Sequence, residues 1–231
     1  SHPTTNDHGY FNDGVAQEAR AALGVWGASA SAVYAYYSNT IFKRDPSDGS
    51  WSAVYTVDDL DADDEHAFFV AASGTGPDDV WFAGARDGGM GSCPLLVRKT
   101  ADGWERIADG TVTSDFFNPC GERTGTLRIG AGLGGWLTDI QPVSATEYVA
   151  LHHDFDLFQA KTNAYLTRIR ASESESAVEQ TLIPVQLAQS ARRGILSSLW
   201  RGDGETWFTA WGLVLRGADG APPSVSTISR D

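Results

Sequence analysis

The chain has only two cysteines and three lysines among its 231 residues, and acidic residues outnumber basic ones by thirty to seventeen. The resulting formal net charge of −13 repels the phosphates of nucleic acids and the anionic surfaces of membranes. The apolar runs also fall well short of the ~20 residues that a membrane-spanning helix needs. The sequence therefore predicts neither a nucleic-acid partner nor insertion into a membrane.

Sequence signals that would report the cellular location are scarce. No secretory leader is recognisable, and no Asn-x-Ser/Thr site for glycosylation occurs. The chain starts at Ser1 rather than Met, which is compatible with a leader that has already been removed. Repeats rich in Gly, Ser and Thr with little Lys suit secreted proteins, so we expect an extracellular, periplasmic or cell-surface location.

Aromatic residues, by contrast, are abundant: they make up 11% of the chain and include eight tryptophans. Such a content argues against a disordered chain, which needs low hydrophobicity. A length of 231 residues is enough for one all-β domain with a substantial core.

Four copies of one pattern run along the sequence: an apolar strand, a small polar turn, a β-branched or aromatic strand, and a strand with a basic end. The pattern predicts second strands at 33–37, 80–84, 148–152 and 206–210, and third strands at 40–44, 95–99, 165–168 and 213–216. In three copies Asp-Gly, a strong hairpin signal, follows at 48–49, 102–103 and 219–220. Repeats of this size are typical of stacked supersecondary units.

We predict an all-β fold of the β-propeller type, built of four-stranded antiparallel blades, of which four are recognisable. The predicted blades are residues 22–57, 58–112, 113–185 and 186–231, preceded by an extension or linker at 1–21. Residues 14–22 also suit a short helix. The four blades form either a closed ring or part of a larger propeller, and the second is favoured. A β-sandwich is the alternative, but it does not explain the recurring turns.

Two of the copies resemble a known group of proteins. The resemblance is carried by the sequences Leu23-Gly24-Val25-Trp26-Gly27 and Gly76-Pro77-Asp78-Asp79-Val80-Trp81-Phe82-Ala83-Gly84. They are similar to the Trp-Gly…Asp-Asp-Val-Trp…Gly repeats of secreted bacterial β-propellers, which are numerous in myxobacteria. The third copy departs from the pattern, with Gln141 and Pro142 in place of Trp-Gly. The resemblance implies an extracytoplasmic propeller and no particular activity.

Irregular connections are predicted on one face of the ring, at residues 58–65, 86–92 and 109–134. Loops on a rigid scaffold carry many binding residues, so we expect functional contacts on this face. Cys93 borders one of these loops and Cys120 lies in another, and both open on the same face. We predict that they form a disulfide that pins residues 109–134, with two unpaired thiols as the alternative.

Tryptophans sort by their place in the repeat. Six recur at equivalent positions and are predicted to pack between blades, namely Trp26, Trp51, Trp81, Trp104, Trp200 and Trp207. Trp136 and Trp211 have no such equivalents. Together with Tyr36 and Tyr37 they are candidate stacking surfaces for a sugar, and Trp211 is also a candidate protein anchor. Ordinary packing is the favoured alternative for Trp211.

An acidic segment offers a candidate metal site. Asp59, Asp61 and Asp63 alternate along it, as the first ligands of a calcium loop do. The EF-hand pattern fails further on, where Asp64 replaces the turning glycine and Val70 the closing glutamate. A solvated acidic loop is favoured over calcium, and no other cofactor is expected.

His152 and His153, with Asp154 and Asp156, form the densest set of ligand-type side chains. Adjacent residues of a strand point to opposite sides, so the two histidines do not easily share one metal ion. His153 and Asp156 form an acid/base pair only if the loop folds back, and ordinary loop polarity is favoured. Residues 130–135 match Gly-x-Gly-x-x-Gly, but a strand follows in place of the helix that a dinucleotide site needs.

The function that the sequence favours is a non-enzymatic extracytoplasmic module that binds a protein or forms a structural part of a larger assembly. No Gly-x-Ser-x-Gly, His-Glu-x-x-His or P-loop pattern occurs. A glycan-binding propeller is the second hypothesis. A polysaccharide-active enzyme, using carboxylates and histidine on the loop face, is the third.

Overall fold

The computed structural model describes residues 23–88, 91–115, 117–129, 134–156, 161–171, 176–182, 198–210, 213–218 and 224–227. Within these ranges the regular secondary structure is entirely β-strand, arranged as four four-stranded antiparallel sheets and one two-stranded sheet. The all-β prediction is thus confirmed for the part of the chain that is described. A search of the same ranges finds no helix with the length and hydropathy to cross a membrane.

Each four-stranded sheet is a meander of strands in chain order. The first sheet comprises β1 Gly24–Ser29, β2 Ala32–Tyr37, β3 Thr40–Arg44 and β4 Trp51–Thr56, and the second β5 His66–Gly76, β6 Asp79–Gly88, β7 Gly91–Thr100 and β8 Trp104–Ala108. The two-stranded sheet is β9 Gly110–Val112 with β10 Cys120–Glu122. The third sheet comprises β11 Trp136–Ser144, β12 Glu147–Asp156, β13 Lys161–Ala171 and β14 Ser176–Leu182, and the fourth β15 Ser198–Gly202, β16 Glu205–Ala210, β17 Leu213–Ala218 and β18 Ser224–Thr227.

The repeat seen in the sequence corresponds to one register in all four sheets. In each sheet, a basic residue of the third strand lies opposite the second residue of the predicted second strand. The pairs are Tyr34–Lys43, Trp81–Arg98, Val149–Arg168 and Trp207–Arg216. Gly49 and Gly103 of the Asp-Gly turns have positive φ, 76° and 149°, which glycine adopts at little cost. The third Asp-Gly turn, residues 219–220, and the candidate helix at 14–22 lie outside the described residues.

The four sheets stack face on face in chain order. The first packs on the second through β1, β2 and β5, the second on the third through β5, β6, β7 and β11, and the third on the fourth through β11, β12 and β15. Each interface is apolar and buried; its members include Tyr34, Phe69 and Phe82 in the first, Trp81, Ile140 and Tyr148 in the second, and Leu151, Leu199 and Phe208 in the third. Each sheet falls within one of the predicted segments, while the assignment of those segments as blades stays a prediction.

The two outer faces of the stack are uncovered in the described part of the chain. Leu23, Val25 and Trp51 on the first sheet are 54%, 65% and 46% exposed, and Trp200 on the fourth is 56% exposed. No extensive contact joins the described strands of the fourth sheet to those of the first. Trp51 and Trp200 were predicted to pack between sheets, but none of the described sheets covers the faces on which they lie.

Two predicted loops contain β-structure. Residues 86–92 were expected to be a loop, but β6 continues to Gly88 and β7 begins at Gly91, so the hairpin is longer. The extension is stabilised because Arg86 finds buried carboxylate partners. Within residues 109–134, β9 and β10 form the two-stranded sheet. The expected loop polarity at His152 to Asp156 is also wrong, since β12 runs through to Asp156.

Candidate functional site

A disulfide joins β7 to β10 on the side of the second sheet where the long connections lie. Cys93 and Cys120 are bonded, with their Cα atoms 5.3 Å apart, which confirms the predicted pairing. Gly110 lies directly against the bond: a Cβ there would be 2.4 Å from Cys120 Sγ and 2.8 Å from Cys93 Sγ. The disulfide therefore holds the segment after β8 against β7, and glycine at position 110 makes the close approach possible.

Next to the disulfide, Arg86 of β6 is a fully buried cation surrounded by carboxylates. Its Nε and Nη2 donate to the two oxygens of Asp109, both at 2.9 Å, and its Nη1 donates to Glu65 at 3.3 Å. Burial by itself would lower the pKa of Arg86, but the bonds and charges of Asp109 and Glu65 outweigh it and raise that pKa. The guanidinium therefore stays charged in the interior.

Two further arginines extend this cluster towards the surface. Arg106 donates through Nη1 to Asp59 at 2.6 Å and to Asp109 at 3.0 Å. Arg123 donates to Asp59 at 3.1 Å and to Asp61 at 2.9 Å. We call this set the Arg86 network; its members are Arg86, Arg106, Arg123, Asp59, Asp61, Glu65 and Asp109. It ties residues 58–65, β6, β8 and the segment 109–129 together.

The network uses oxygens that were predicted as calcium ligands. Burial would raise the pKa of Asp59, but the hydrogen bonds and charges of Arg106 and Arg86 outweigh it and hold the pKa below its ordinary value. Asp61 is bonded to Arg123, and Asp63 is exposed. No group of three or more potential ligand residues with metal-binding geometry is found in the described ranges. The calcium hypothesis stays a prediction, and calcium would compete with these arginines for Asp59 and Asp61.

A cavity of about 390 Å³ lies beside the network, lined by Pro94, Glu122, Arg123, Thr124, Leu127 and Arg128 among others. Arg128 donates to Asn118 Oδ1 at 3.0 Å and to Glu122 at 3.4 Å, so both arginines of the lining are engaged by protein groups. These ion pairs and hydrogen bonds hold the connections of the second sheet in place.

His152 and His153 lie in the interior of the third sheet. His152 is fully buried; its Nε2 donates to the carbonyl oxygen of Gly134 at 2.9 Å, and its ring stacks on Tyr165 with centroids 5.6 Å apart. Burial lowers the pKa of His152, so the ring is neutral at pH 7. His153 is buried as well, and Asp154 accepts a bond from Asn163 at 3.0 Å. Both imidazoles are therefore packed in the interior, although the sequence offered each as a candidate ligand-binding residue.

Part of the glycine-rich segment explains why these histidines can pack. Gly134 and Gly135 have φ values of 73° and 114°. A Cβ at Gly135 would lie 1.9 Å from the carbonyl oxygen of His153 and 2.8 Å from His152 Nε2. Glycine is thus needed for close packing of this segment on β12, not for a phosphate. Residues 130–133 lie outside the described ranges.

The aromatic candidates are dispersed. Tyr36 is only 7% exposed, donates to the carbonyl oxygen of Val70 at 3.0 Å and packs edge-on against Phe82. The prediction that it stacks on a sugar is wrong, because its ring lies between two sheets. Tyr37 at the end of β2 and Trp136 at the start of β11 are partly exposed but belong to different sheets. Trp211 lies outside the described residues.

Sequence reasoning missed the arginines of the network, although one signal was available. Arg86 directly follows the apolar run Val80 to Ala85, and an arginine that extends a buried strand needs carboxylate partners. The acidic residues 58–65 were such partners. Asp109 and Arg123 lie too far along the chain for spacing to connect them with Arg86.

The end faces of the stack form a second candidate site. Trp26 of β1 lies opposite Tyr34, and Trp200 of β15 lies opposite Trp207, so the two tryptophans share one register position. Trp26 packs against Gly74 of the second sheet, where a Cβ would be 3.1 Å from its Cζ2. Trp200 has the same position but no covering sheet, and its indole lies over Gly202 of its own strand.

Comparison of the chain with protein-family models, curated proteins and solved structures finds no match. The resemblance to secreted bacterial β-propeller repeats stays a prediction.

Proposed function

We propose that the chain is a non-enzymatic extracytoplasmic module of the β-propeller type that binds a protein, either as a complete unit or as part of a larger propeller. The observation that carries this proposal is the contrast between covered and uncovered sheet faces. The three faces between sheets are apolar and buried, whereas the outer faces expose Leu23, Val25, Trp51 and Trp200.

The order of contacts supports a propeller arrangement. The first strand of each sheet contacts the first strand of the next, along the series β1, β5, β11 and β15. Propellers pack their blades in this way around a central axis, each blade touching only its neighbours. The outer faces would then be blade faces on which a further blade can pack.

Exposed apolar residues on one face favour a protein as the ligand. Val25 lies on the outer side of β1, and the exposed Leu23 directly precedes that strand. Trp51 of β4 lies on the same side of the sheet as Val25, as the pairing of Arg44 with Trp51 shows. Exposed apolar side chains on a sheet face are suited to an interface, and tryptophans are frequent anchors of interfaces. A protein that covers this face would bury all three side chains.

The disulfide supports a location outside the cytoplasm. Disulfides persist in oxidising compartments and are rare where thiols are kept reduced. Cys93–Cys120 closes a separation of 27 residues and packs on Gly110, so it is built into the fold of this segment.

The proposal is tested by comparing surface variants of the immobilised chain exposed to the secreted proteins of the cells that produce it. Val25→Arg and Trp200→Arg place a charge on the two outer faces, and Phe117→Arg places it on an exposed apolar residue elsewhere. We expect quantitative mass spectrometry to show a protein that is retained by wild type and Phe117→Arg and lost from either end-face variant. Equal retention by all variants contradicts the proposal, and quenching of tryptophan fluorescence by oligosaccharides alone would favour the glycan hypothesis.

A further inference from the structure

The stack of sheets has a direction, because each sheet presents one kind of face to its predecessor and another to its successor. Tyr34 of the first sheet points towards the second, where its ring lies 5.9 Å from that of Phe82. Trp81, which has the register position of Tyr34, points onward to the third sheet, where it lies 4.4 Å from Tyr148. We call the face that a sheet presents to the next sheet along the chain its successor face. The face that it presents to the previous sheet is its predecessor face.

The two uncovered faces are of opposite kinds. On the fourth sheet, Leu199 and Phe208 pack on the third sheet, so Trp200 and Trp207 lie on a successor face. On the first sheet, Tyr34 and Trp26 pack on the second sheet, so the outer side that carries Val25 is a predecessor face. In the interior of the stack, a successor face always meets a predecessor face.

At the first interface, a glycine on the predecessor face leaves room for a tryptophan of the neighbouring sheet. We call such a glycine position a seat, and one recurs on the uncovered predecessor face. Gly74, opposite Val80, leaves the space that the indole of Trp26 occupies. Gly27 has the same register position, opposite Val33. The three atoms nearest to a Cβ at Gly27 belong to its own sheet, with Ala32 O and Val33 Cγ2 at 3.4 Å, so none of the described residues of another sheet fills this seat. Trp200 is the matching indole, since it has the register position of Trp26.

The positions that meet at the second interface also have equivalents on the two uncovered faces. Arg98 lies 5.2 Å over the ring of Trp81, and Arg216 lies 5.3 Å over the ring of Trp207. Trp81 is fully buried because Tyr148 of the next sheet covers it, whereas Trp207 is only partly buried. Val33 has the register position of Tyr148, and it lies on the uncovered face of the first sheet.

We propose that the occupant of both outer faces is a second copy of this chain, bound head to tail, with Trp200 of each copy seated on Gly27 of the other. The described part of one molecule covers neither outer face, and its first and fourth sheets do not pack on each other. A successor face packs on a predecessor face and not on another successor face, so the contact between copies is heterologous. The two-chain ring closes when both outer faces of both copies are in contact. The product has eight sheets, within the range of known propellers. This inference rests on the proposed function, because it names the protein that the end faces bind.

The test uses the full chain with its disulfide intact, by light scattering after size exclusion and by native mass spectrometry. We expect wild type at twice the chain mass. Trp200→Ser removes the indole and Gly27→Leu fills the seat, and each should weaken association at least ~30-fold, as loss of a hot-spot residue does. Gly76→Leu is the matched control, because a Cβ at Gly76 meets nothing within 4 Å and the residue lies on neither outer face. Circular dichroism checks that all variants fold.

Mixing the two impaired variants gives the sharpest result. Gly27→Leu still has Trp200, and Trp200→Ser still has the open seat, so the mixture should form a two-chain species with one native contact although neither variant does so alone. A monomeric wild type, a ladder of higher oligomers, or a mixture that stays monomeric overturns the inference. If wild type is monomeric and retains another protein that Val25→Arg and Trp200→Arg do not retain, only the identity of the occupant is wrong. If no protein is bound at all, the proposed function fails as well.

Discussion

Arg86 and Asp109 form a two-pronged ion pair in which both side chains are fully buried, with nitrogen–oxygen distances of 2.9 Å on each prong. The pair joins β6 to the segment that follows β8, 23 residues further along the chain. A buried guanidinium that loses its carboxylate partner is costly, so the relationship makes this corner of the second sheet the most sensitive part of the Arg86 network.

Asp109→Asn should therefore be strongly destabilising. The amide keeps the shape of the side chain but leaves the charge of Arg86 underpaired, and we expect a loss of ~3–5 kcal/mol in the free energy of unfolding. Asp61→Asn is the matched control, since Asp61 is exposed and its ion pair with Arg123 should contribute no more than ~1 kcal/mol. Urea unfolding followed by tryptophan fluorescence measures both. Similar small losses in the two variants would show that the buried pair is not critical.

Removal of the disulfide should destabilise the fold and leave its strands in place. Replacing Cys93 and Cys120 by alanine frees a loop of 27 residues, for which chain entropy predicts a loss of about 3–4 kcal/mol. The measurement is urea unfolding with and without reductant. Wild type should shift with reductant to the midpoint of the double variant, and the double variant should not respond. A wild-type midpoint that ignores reductant would contradict the predicted contribution.

Stability should fall as the pH is lowered from about 7.5 to about 5.5, because of His152. Burial lowers the pKa of His152 below its ordinary value of 6.5, so the unfolded chain takes up a proton that the folded chain refuses. The contribution of the neutral ring is fully present well above pH 6.5, where the unfolded chain is also neutral, and is lost progressively as the pH falls through 6.5 towards the lower pKa of the folded state.

His152→Gln keeps a donor towards the carbonyl of Gly134 and should have a flatter dependence of the urea midpoint on pH. If His152→Gln keeps the wild-type slope over this range, another group is responsible.

Gly135→Ala should separate steric contact from backbone strain. A Cβ there collides with the carbonyl oxygen of His153 at 1.9 Å and also has to accept a φ of 114°. Gly125→Ala has a positive φ of 83° but nothing within 4 Å, so only the backbone penalty of ~1–2 kcal/mol applies. We expect the loss for Gly135→Ala to exceed that of Gly125→Ala clearly in thermal unfolding. Equal losses would mean that β12 yields to the added methyl group.

Much of the strand order was predictable from local sequence, for an identifiable reason. In each sheet the basic residue at the end of the third strand lies opposite a set position of the second, as Arg98 does to Trp81. Period-two alternation and Asp-Gly turns are local signals, so they report strands and hairpins without knowledge of neighbours. The partners of Arg86 gave no such signal, since Asp59 and Asp109 reach it from opposite directions along the chain.

Candidate site residues were predicted less well, because exposure is a property of the assembled sheets. Tyr36 looked like a stacking surface, yet the second sheet covers it. His153 and Asp154 looked like polar loop residues beyond the end of the predicted strand, yet β12 continues through both and both are buried. In each case the residue type indicated the chemistry of the side chain but not whether solvent or a ligand can reach it.

The sequence by itself determined most strands of the four sheets and the hairpin turns at Gly49 and Gly103, because these depend on contacts between residues near each other in the chain. Only the tertiary structure decided which faces are covered. Trp26 and Trp200 have the same position in the repeat, but a following sheet lies on Trp26 and none of the described sheets lies on Trp200. Burial of a sheet face depends on the neighbour that stacks against it, and the local pattern of a strand carries no information about whether that neighbour is present.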